Sequence, residues 1–420
     1  MAVYTDSHFL ELKIGEFMSQ KNKEINSVIY NTELNVDYLP EEDLYVYKRK
    51  DPSFRFNLIG SGMMGQEHMR VVMLEGRATI NGIFDRNEHS VKKAQSMFND
   101  LYPDTKLVIY DSLEAACNDP EIDGLIICTP NYSHLEILET AIKSGKPILL
   151  EKPMATTIED AISIKNISEN YSSFIQVALQ YRYKAMYAKA REEALLKKSL
   201  GDIHMVNIIE HRLPFLDKID QWNKFSIYSG GTLVEKCCHY FDLFNLFANS
   251  KPKYVYAVGG QNVNFLDFER DGKKSDILDN AVVVVVYENG IKCNFNLCMF
   301  APMFYEEITI CGEKGRIKAY ENEDYLIDSG AKTHFEMHNQ DHGISMIGTP
   351  CYPNNIQSSG HMGGTYFEYK VFIDTIEGKN TNHPTTEEGF WSVVVGAAAE
   401  KSVATGEIVY IDELLANYAD

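Results

Sequence analysis

The sequence predicts an α/β protein: a doubly wound parallel sheet, followed by an α+β domain built on a largely antiparallel, open sheet. Three observations predict it. A short apolar strand, Phe56–Ile59, runs straight into Gly60-Ser61-Gly62-Met63-Met64-Gly65. Strand and helix patterns then alternate as far as Val177. Beyond Gly201 strand-like segments dominate, with turn signals between them. At 420 residues the chain exceeds one ordinary core and divides into two domains.

In the first of these, strands are expected at Phe56–Ile59, Thr79–Phe84, Leu107–Tyr110, Gly124–Cys128, Pro147–Leu150 and Phe174–Val177, with helical patterns between them such as His134–Ser144 and Thr157–Asn170. Such a sheet binds its ligand beyond the carboxyl ends of the strands. The glycine spacing suits a dinucleotide pyrophosphate. Gly60 permits the tight turn, Gly62 lets the backbone approach the phosphates, and Gly65 lets helix and strand pack closely. The following helix start adds unpaired N–H groups from Ser61, Met63 and Met64. Asp85 ends the second strand 20 residues beyond Gly65, where a carboxylate would accept both ribose hydroxyls of NAD and repel the 2′-phosphate of NADP. Arg86 beside it softens that repulsion. Asp85 also reads as the N-cap of a helix over Glu88–Phe98, and the two roles are compatible.

In the second domain, strands are expected at Ile203–His211, Tyr254–Gly259, Asn280–Tyr287, Ile291–Phe300, Glu307–Cys311 and Gly315–Tyr320, and helices at Phe241–Ala248, Tyr366–Glu377 and Glu387–Thr405. Asn289-Gly290 signals a two-residue hairpin, and Gly312-Glu313-Lys314-Gly315 another turn. Helices should cover one face of this sheet; the other face needs a partner, so a homo-oligomer is expected. Residues 1–50 mix a helix-like apolar period with Tyr30, Tyr38, Tyr45 and Tyr47, which reads as a disordered leader or as an ordered arm on this or another subunit. The organisation is thus an arm (1–50), a nucleotide-binding domain (51–178), and a substrate-binding and oligomerisation domain (179–420).

Composition narrows the function class. The longest aliphatic run, Ala281–Val286, is far too short to span a membrane, and the first residues lack the basic and apolar segments of a secretory signal. A net charge of −20 argues against nucleic acid and anionic membranes. The eight cysteines contain no Cys-x-x-Cys pair, so neither a zinc ribbon nor a disulfide framework is expected, and the adjacent Cys237 and Cys238 read as buried small residues. The expectation is a cytoplasmic enzyme acting on a small molecule.

Three further blocks carry chemistry. Cys128-Thr129-Pro130-Asn131 ends a core strand at the crevice, with Thr129, Pro130 and Asn131 placed for the nicotinamide-side sugar and His134 at the next helix start. Glu151-Lys152-Pro153 ends the next strand. Partial desolvation there would lower the Lys152 pKa, and Pro153 could turn the lysine into the crevice through a cis bond. Each block also has a structural reading: a helix-start histidine, and a strand-end Glu–Lys pair. In Gly230-Gly231-Thr232-Leu233-Val234-Glu235-Lys236-Cys237-Cys238-His239, Glu235 and His239 lie four apart and so share a helix face, as does Asp242. A carboxylate beside the imidazole would orient it and favour its protonated form, giving a proton acceptor. The pair would also suit a metal, but no third ligand is evident and none is expected.

Taken together and in order, these blocks resemble the Gfo/Idh/MocA family of NAD(P)-dependent oxidoreductases. The likeness runs from Phe56 to Asp412 and includes Gly312-Glu313-Lys314-Gly315 and Thr405-Gly406-Glu407-Ile408-Val409-Tyr410. It implies oxidation or reduction of a secondary hydroxyl of a sugar, inositol or related polyol. By position, Lys152 would be the catalytic lysine and His239 the catalytic histidine, and Glu235 replaces the usual aspartate. Glu151 would lie at the cofactor, and Arg182 near cofactor and substrate. Tyr181, Tyr183, Trp222 and Tyr228 offer surfaces on which a sugar or aglycone could stack. Cys237 stands where a glycine is common. The long leader and the Glu-Lys-Cys-Cys-His block are also similar to bacterial glycoside 3-oxidases, including those that begin C-glycoside cleavage. The resulting expectation is NAD-dependent oxidation of a sugar or glycoside at C3 of a glucosyl unit, with Lys152 and His239 able to exchange roles. The alternatives are a hydrolase working by transient oxidation on bound NAD, and a non-catalytic sensor.

Overall fold

The computed structural model describes residues 52–214, 217–325, 331–341, 343–379 and 382–418; the expected N-terminal arm lies outside them. Strands β1 (Phe54–Ile59), β2 (Ala78–Phe84), β3 (Val108–Ile109), β4 (Gly124–Ile127), β5 (Ile148–Leu150) and β6 (Ile175–Val177) form one sheet in the order β3-β2-β1-β4-β5-β6. Every pairing is parallel. Both faces are covered, which is why β4 (Gly-Leu-Ile-Ile) and β5 (Ile-Leu-Leu) are apolar throughout rather than alternating. The crossovers are α1 (Met63–Glu75), α2 (Glu88–Leu101), α3 (Leu113–Asn118), α4 (His134–Ala141) and α5 (Ile158–Glu169), followed by α6 (Ala185–Arg191). The strand order reverses between β1 and β4, placing the crevice at the turns after Ile59 and Ile127.

The second sheet contains β7 (Ile203–His211), β8 (Pro252–Gly260), β9 (Asn280–Tyr287), β10 (Lys292–Cys298), β11 (Met303–Gly312), β12 (Gly315–Asp324), β13 (Lys332–Asn339), β14 (Ile344–Gly348) and β15 (Val409–Tyr410). Their order is β14-β13-β12-β11-β7-β10-β9-β8-β15, antiparallel except for the β7–β10 pair. The expected largely antiparallel sheet is therefore present. The last three strands escape sequence reading because β13 and β14 are polar or short and β15 has two residues. The Asn289-Gly290 hairpin forms, but only Gly290 has a positive φ (84°), so the turn closes from Tyr287 to Gly290 rather than as the expected two-residue type. The Gly312–Gly315 turn is a tight hairpin in which those two glycines face each other.

Helices α7 (Thr232–Glu235), α8 (Cys238–Ala248) and α10 (Thr386–Thr405) pack on the inner face and join the two sheets through one continuous apolar cluster. Helix α9 (Gly364–Ile376) lies late in the chain yet packs on the first sheet: Tyr366, Tyr369, Phe372 and Ile373 share a cluster with Phe56, Leu58, Met69 and Ile80. The opposite face of the second sheet leaves Met205, Tyr256, Val258 and Val282 exposed.

Candidate active site

The glycine turn has the shape its spacing implies. Gly60 has φ of 94°, and a Cβ on it would stand 2.6 Å from the Cys128 carbonyl oxygen; one on Gly65 would meet the Gly60 oxygen at 2.3 Å. Nothing lies within 4 Å of the Cβ position of Gly62, so that side of the turn is open. Helix α1 starts at Met63 with no side-chain cap, leaving its first N–H groups without a side-chain acceptor. Asp85 ties this turn to β2: Oδ2 accepts from Ser61 N (2.7 Å) and Ser61 Oγ (3.1 Å), and Oδ1 accepts from Asn87 N (2.8 Å). The N-cap of α2 is therefore Asn87, whose side chain accepts from Ser90 N, and not Asp85. Arg86 turns to Glu136 at 2.6 Å in an exposed pair, which contributes little and is easily opened.

On the far side of the crevice, Thr129, Pro130 and Asn131 form the turn after β4. The side-chain nitrogen of Asn131 and both amide atoms of Gln180 are buried with no hydrogen-bond partner. Orphaned buried amides in this crevice fit a dinucleotide, which offers ribose hydroxyls and a carboxamide. His134 has a different place: Nδ1 lies 3.0 Å from the Pro153 carbonyl and Nε2 3.1 Å from the Thr129 carbonyl, so it staples the two crevice turns together. Glu151 turns inward. Its Oε2 accepts from Lys152 N and its Oε1 meets His68 Nε2 at 2.9 Å, while His68 Nδ1 meets the Tyr369 hydroxyl at 2.7 Å. This chain pins the Glu-Lys-Pro turn to α1 and α9.

Lys152 projects into the site, and its peptide bond to Pro153 is cis, as the sequence suggested. Its Nζ donates to the Glu235 carbonyl at 3.1 Å. Burial alone would lower its pKa, but Glu235, Cys238 and Glu151 outweigh that and hold it above the ordinary lysine value. The expected lowering is thus reversed, and Lys152 is a cation. Glu235 is itself clamped, with Lys218 Nζ at 2.7 Å. Burial pushes its carboxyl up, but Lys218, Lys152 and Lys236 hold it at about 2.

The expected continuous helix through Glu235 and His239 is broken. It stops at Glu235 and restarts at Cys238, so the two side chains do not share a face as an i,i+4 pair would. Asp242 is not beside His239 either: it takes two hydrogen bonds from Arg182, whose remaining nitrogen reaches Glu388 at 2.7 Å. Arg182 is thereby consumed in a buried ion-pair network. His239 instead stacks on Tyr181, with centroids 3.9 Å apart and planes 7° from parallel, and its Nδ1 is buried without a partner. Burial, with Lys152, Lys236, His361 and Lys184 around it, drives its pKa well below the ordinary histidine value. The imidazole is therefore a neutral base, held by stacking and not by a carboxylate. Lys236 donates to the Tyr181 hydroxyl at 2.7 Å, so Tyr181 is a wall of the site with one face already occupied.

Next to this group, Trp222 carries Lys218 over its ring at 4.5 Å. Tyr132, Trp222, Phe225 and Tyr228 line a cleft of about 200 Å³ rimmed by Asp220, Arg270, Asp271 and Lys273. Tyr183 is buried and is not among the residues lining this cleft. Among the described residues no group of three His, Cys, Asp or Glu side chains could hold a metal ion, and no helix is long and apolar enough to cross a membrane. Sequence reading missed His68, Glu67, Lys218 and His361. The cluster Gly360-His361-Met362-Gly363-Gly364 is the signal that could have exposed the last of these.

Residues 54–179 match the description of an oxidoreductase family's NAD-binding Rossmann fold, and residues 192–411, over half of the chain, match that family's C-terminal alpha/beta domain. The chain belongs to the Gfo/Idh/MocA oxidoreductase family. Membership makes it an NAD(P)-dependent oxidoreductase acting on CH–OH groups. Among similar Gfo/Idh/MocA proteins are the inositol 2-dehydrogenase of Rhizobium meliloti, 22% identical with 83% of this chain and 97% of that one aligned, and the myo-inositol 2-dehydrogenase of Thermotoga maritima, 22% identical over 86% and 99%. The rhizopine catabolism protein MocA of Rhizobium meliloti is 25% identical, over 58% of its own length. Among solved structures, a levoglucosan dehydrogenase in complex with NADH and levoglucosan superposes with a TM-score of 0.70 at 19% identity, over 85% of this chain and 99% of that one. The WlbA dehydrogenase of Bordetella pertussis, with NADH and UDP-GlcNAcA, gives 0.65 at 20% identity, over 86% and 98%. These structures share the fold.

The carboxylates held low yield a pH prediction. Burial pushes Glu67 up, yet His361 and neighbouring groups hold it at about 2, as Lys218 and Lys152 do for Glu235, against an ordinary value of 4.5. A folded-state pKa below the unfolded one stabilises fully above the unfolded value and is lost as pH falls from there through the folded value. Urea midpoints should therefore fall between about pH 5 and about pH 2, and Glu235→Gln should flatten that fall.

Proposed function

We propose that the protein oxidises a secondary hydroxyl of a sugar or glycoside, with NAD as cofactor, at C3 of a glucosyl unit. The observation that carries the reading is the cationic Lys152 and the neutral, stacked His239 at the carboxyl edge of a sheet whose glycine turn is open. NAD, when bound there, accepts the hydride. Lys152 keeps two N–H donors beyond the one given to the Glu235 carbonyl, enough to hold and polarise the substrate oxygen. His239 takes the hydroxyl proton, which a neutral imidazole can do and an imidazolium cannot. Inositol and levoglucosan dehydrogenases among the similar proteins support a polyol substrate. The aromatic cleft at Trp222 and Tyr228 supports a substrate extending beyond one sugar ring. NAD over NADP is supported by Asp85, which sets a carboxylate against a 2′-phosphate. The apolar face around Tyr256, Val258 and Val282 supports a homo-oligomer, which light scattering would read as a multiple of the 47.8 kDa chain.

The test is absorbance at the NADH band with NAD and a panel of free sugars, inositols, O-glycosides and C-glycosides. Growth of the band with sugars or glycosides is expected, with NAD binding at least about tenfold tighter than NADP. A flat trace across the panel would overturn the reading, and sugar released without NADH would replace it with hydrolysis on bound NAD.

A further inference from the structure

The carboxylate–imidazole pair sought at Glu235 and His239 exists in the site on other residues. Glu67, in the first turns of α1, accepts from His361 Nδ1 at 2.7 Å and from Thr365 Oγ1 at 2.8 Å. His361 and Met362 have φ of 43° and 52°, a region side chains rarely adopt and one retained where the surroundings impose it. A Cβ on neighbouring Gly360 would meet Glu67 Oε1 at 2.5 Å, so the loop is pressed onto the carboxylate. The His361 ring stands 6.2 Å from that of His239 and 5.9 Å from that of Tyr181, with its side chain 23% exposed. Nδ1 is committed to Glu67 and Nε2 has no partner among the described residues. A carboxylate on Nδ1 keeps the proton there and the lone pair on Nε2.

We propose that His361, oriented by Glu67, is a second substrate-contacting imidazole that accepts a hydrogen bond from the hydroxyl next to the one oxidised, so that the enzyme selects vicinal diols. This rests on the dehydrogenase reading above. Two base nitrogens on rings this far apart can each take one of two adjacent ring hydroxyls with hydrogen bonds of ordinary length. A lone secondary alcohol leaves Nε2 unpaired, and sites built to bond a hydroxyl reject analogues lacking it. No bond to His361 forms or breaks; its part is position and selection.

The experiment takes the polyol giving the strongest NADH signal and its two deoxy analogues, each lacking one hydroxyl beside the oxidised carbon. Wild type should lose about 100-fold in kcat/KM on one of the analogues. His361→Ala should lose about as much on the diol, mostly in KM, and nothing further on that analogue, as coupled partners require. Glu67→Gln should fall between. Quenching of tryptophan fluorescence by NAD, unchanged in both variants, reads folding and cofactor binding. A His361→Ala enzyme that keeps the preference for the diol, or that weakens NAD binding in its place, would overturn the proposal. So would equal oxidation of lone secondary alcohols by wild type, an outcome that leaves the dehydrogenase reading standing. No NADH from any polyol would overturn both.

Discussion

Replacing Lys152 by alanine is expected to lower kcat/KM for sugar oxidation roughly a thousandfold, within the range for removing a positioned proton-transfer or charge-stabilising group. The loss should appear in kcat, because the cation acts as negative charge develops on the substrate oxygen losing its proton and not on the resting hydroxyl. The fold should survive: Glu235 keeps Lys218 at 2.7 Å, and the turn keeps the Glu151–His68–Tyr369 chain. NAD affinity should be unchanged, since Lys152 bonds the Glu235 carbonyl and none of the crevice amides. Steady-state kinetics beside a fluorescence titration with NAD measures both. A Lys152→Ala protein reducing NAD at near wild-type rate would remove Lys152 from the chemistry, and Lys152→Met gives the same answer with the stem retained.

The largest stability effect is expected at Lys184, which touches no reacting group. Glu210 on β7, Glu306 on β11 and Glu321 on β12 face one another across neighbouring strands, all fully or nearly fully buried. Like charges opposite each other on a sheet repel, and burial weakens the screening that solvent would give. Lys184 bonds Glu306 and reaches Glu321 at 2.7 Å, Lys236 reaches Glu210 at 3.1 Å, and the Tyr240 hydroxyl donates to Glu306 at 2.8 Å. Lys184→Met leaves two adjacent carboxylates uncompensated, which should cost about 3–5 kcal/mol. Urea unfolding would show it as a lower midpoint at unchanged slope. Adding Glu306→Gln should restore a large part, because the cost lies in the orphaned charge and not in the lost contact. Equal stability of the single variant and wild type would show that the row is already protonated. Lys184 also lies 4.8 Å from the Tyr181 ring, so this charged floor supports the wall on which His239 stacks.

What the sequence alone determined is what depends on neighbours along the chain. Gly60, Gly62 and Gly65 act through backbone geometry within six residues, so their spacing predicted the turn. The alternation of strand and helix patterns as far as Val177 predicted a doubly wound sheet, because the periodicity of an element shows in its own residues. Lys152 was legible because a strand end sets where the next residue points. Partnership was not legible. Glu235 and His239 suggested a pair only on the assumption of an unbroken helix, and the chain restarts at Cys238. Asp242 went to Arg182, 60 residues away, and Glu235 went to Lys218. The imidazole with a carboxylate behind it is His361, whose Glu67 lies 294 residues earlier. Even the sign of the Lys152 pKa was decided this way, since the carboxylate that opposes burial most strongly, Glu235, comes from another element. Charge acts through space, so the charge state and partner of each site group belong to the tertiary structure, while the sequence determined which side chains were there to be partnered.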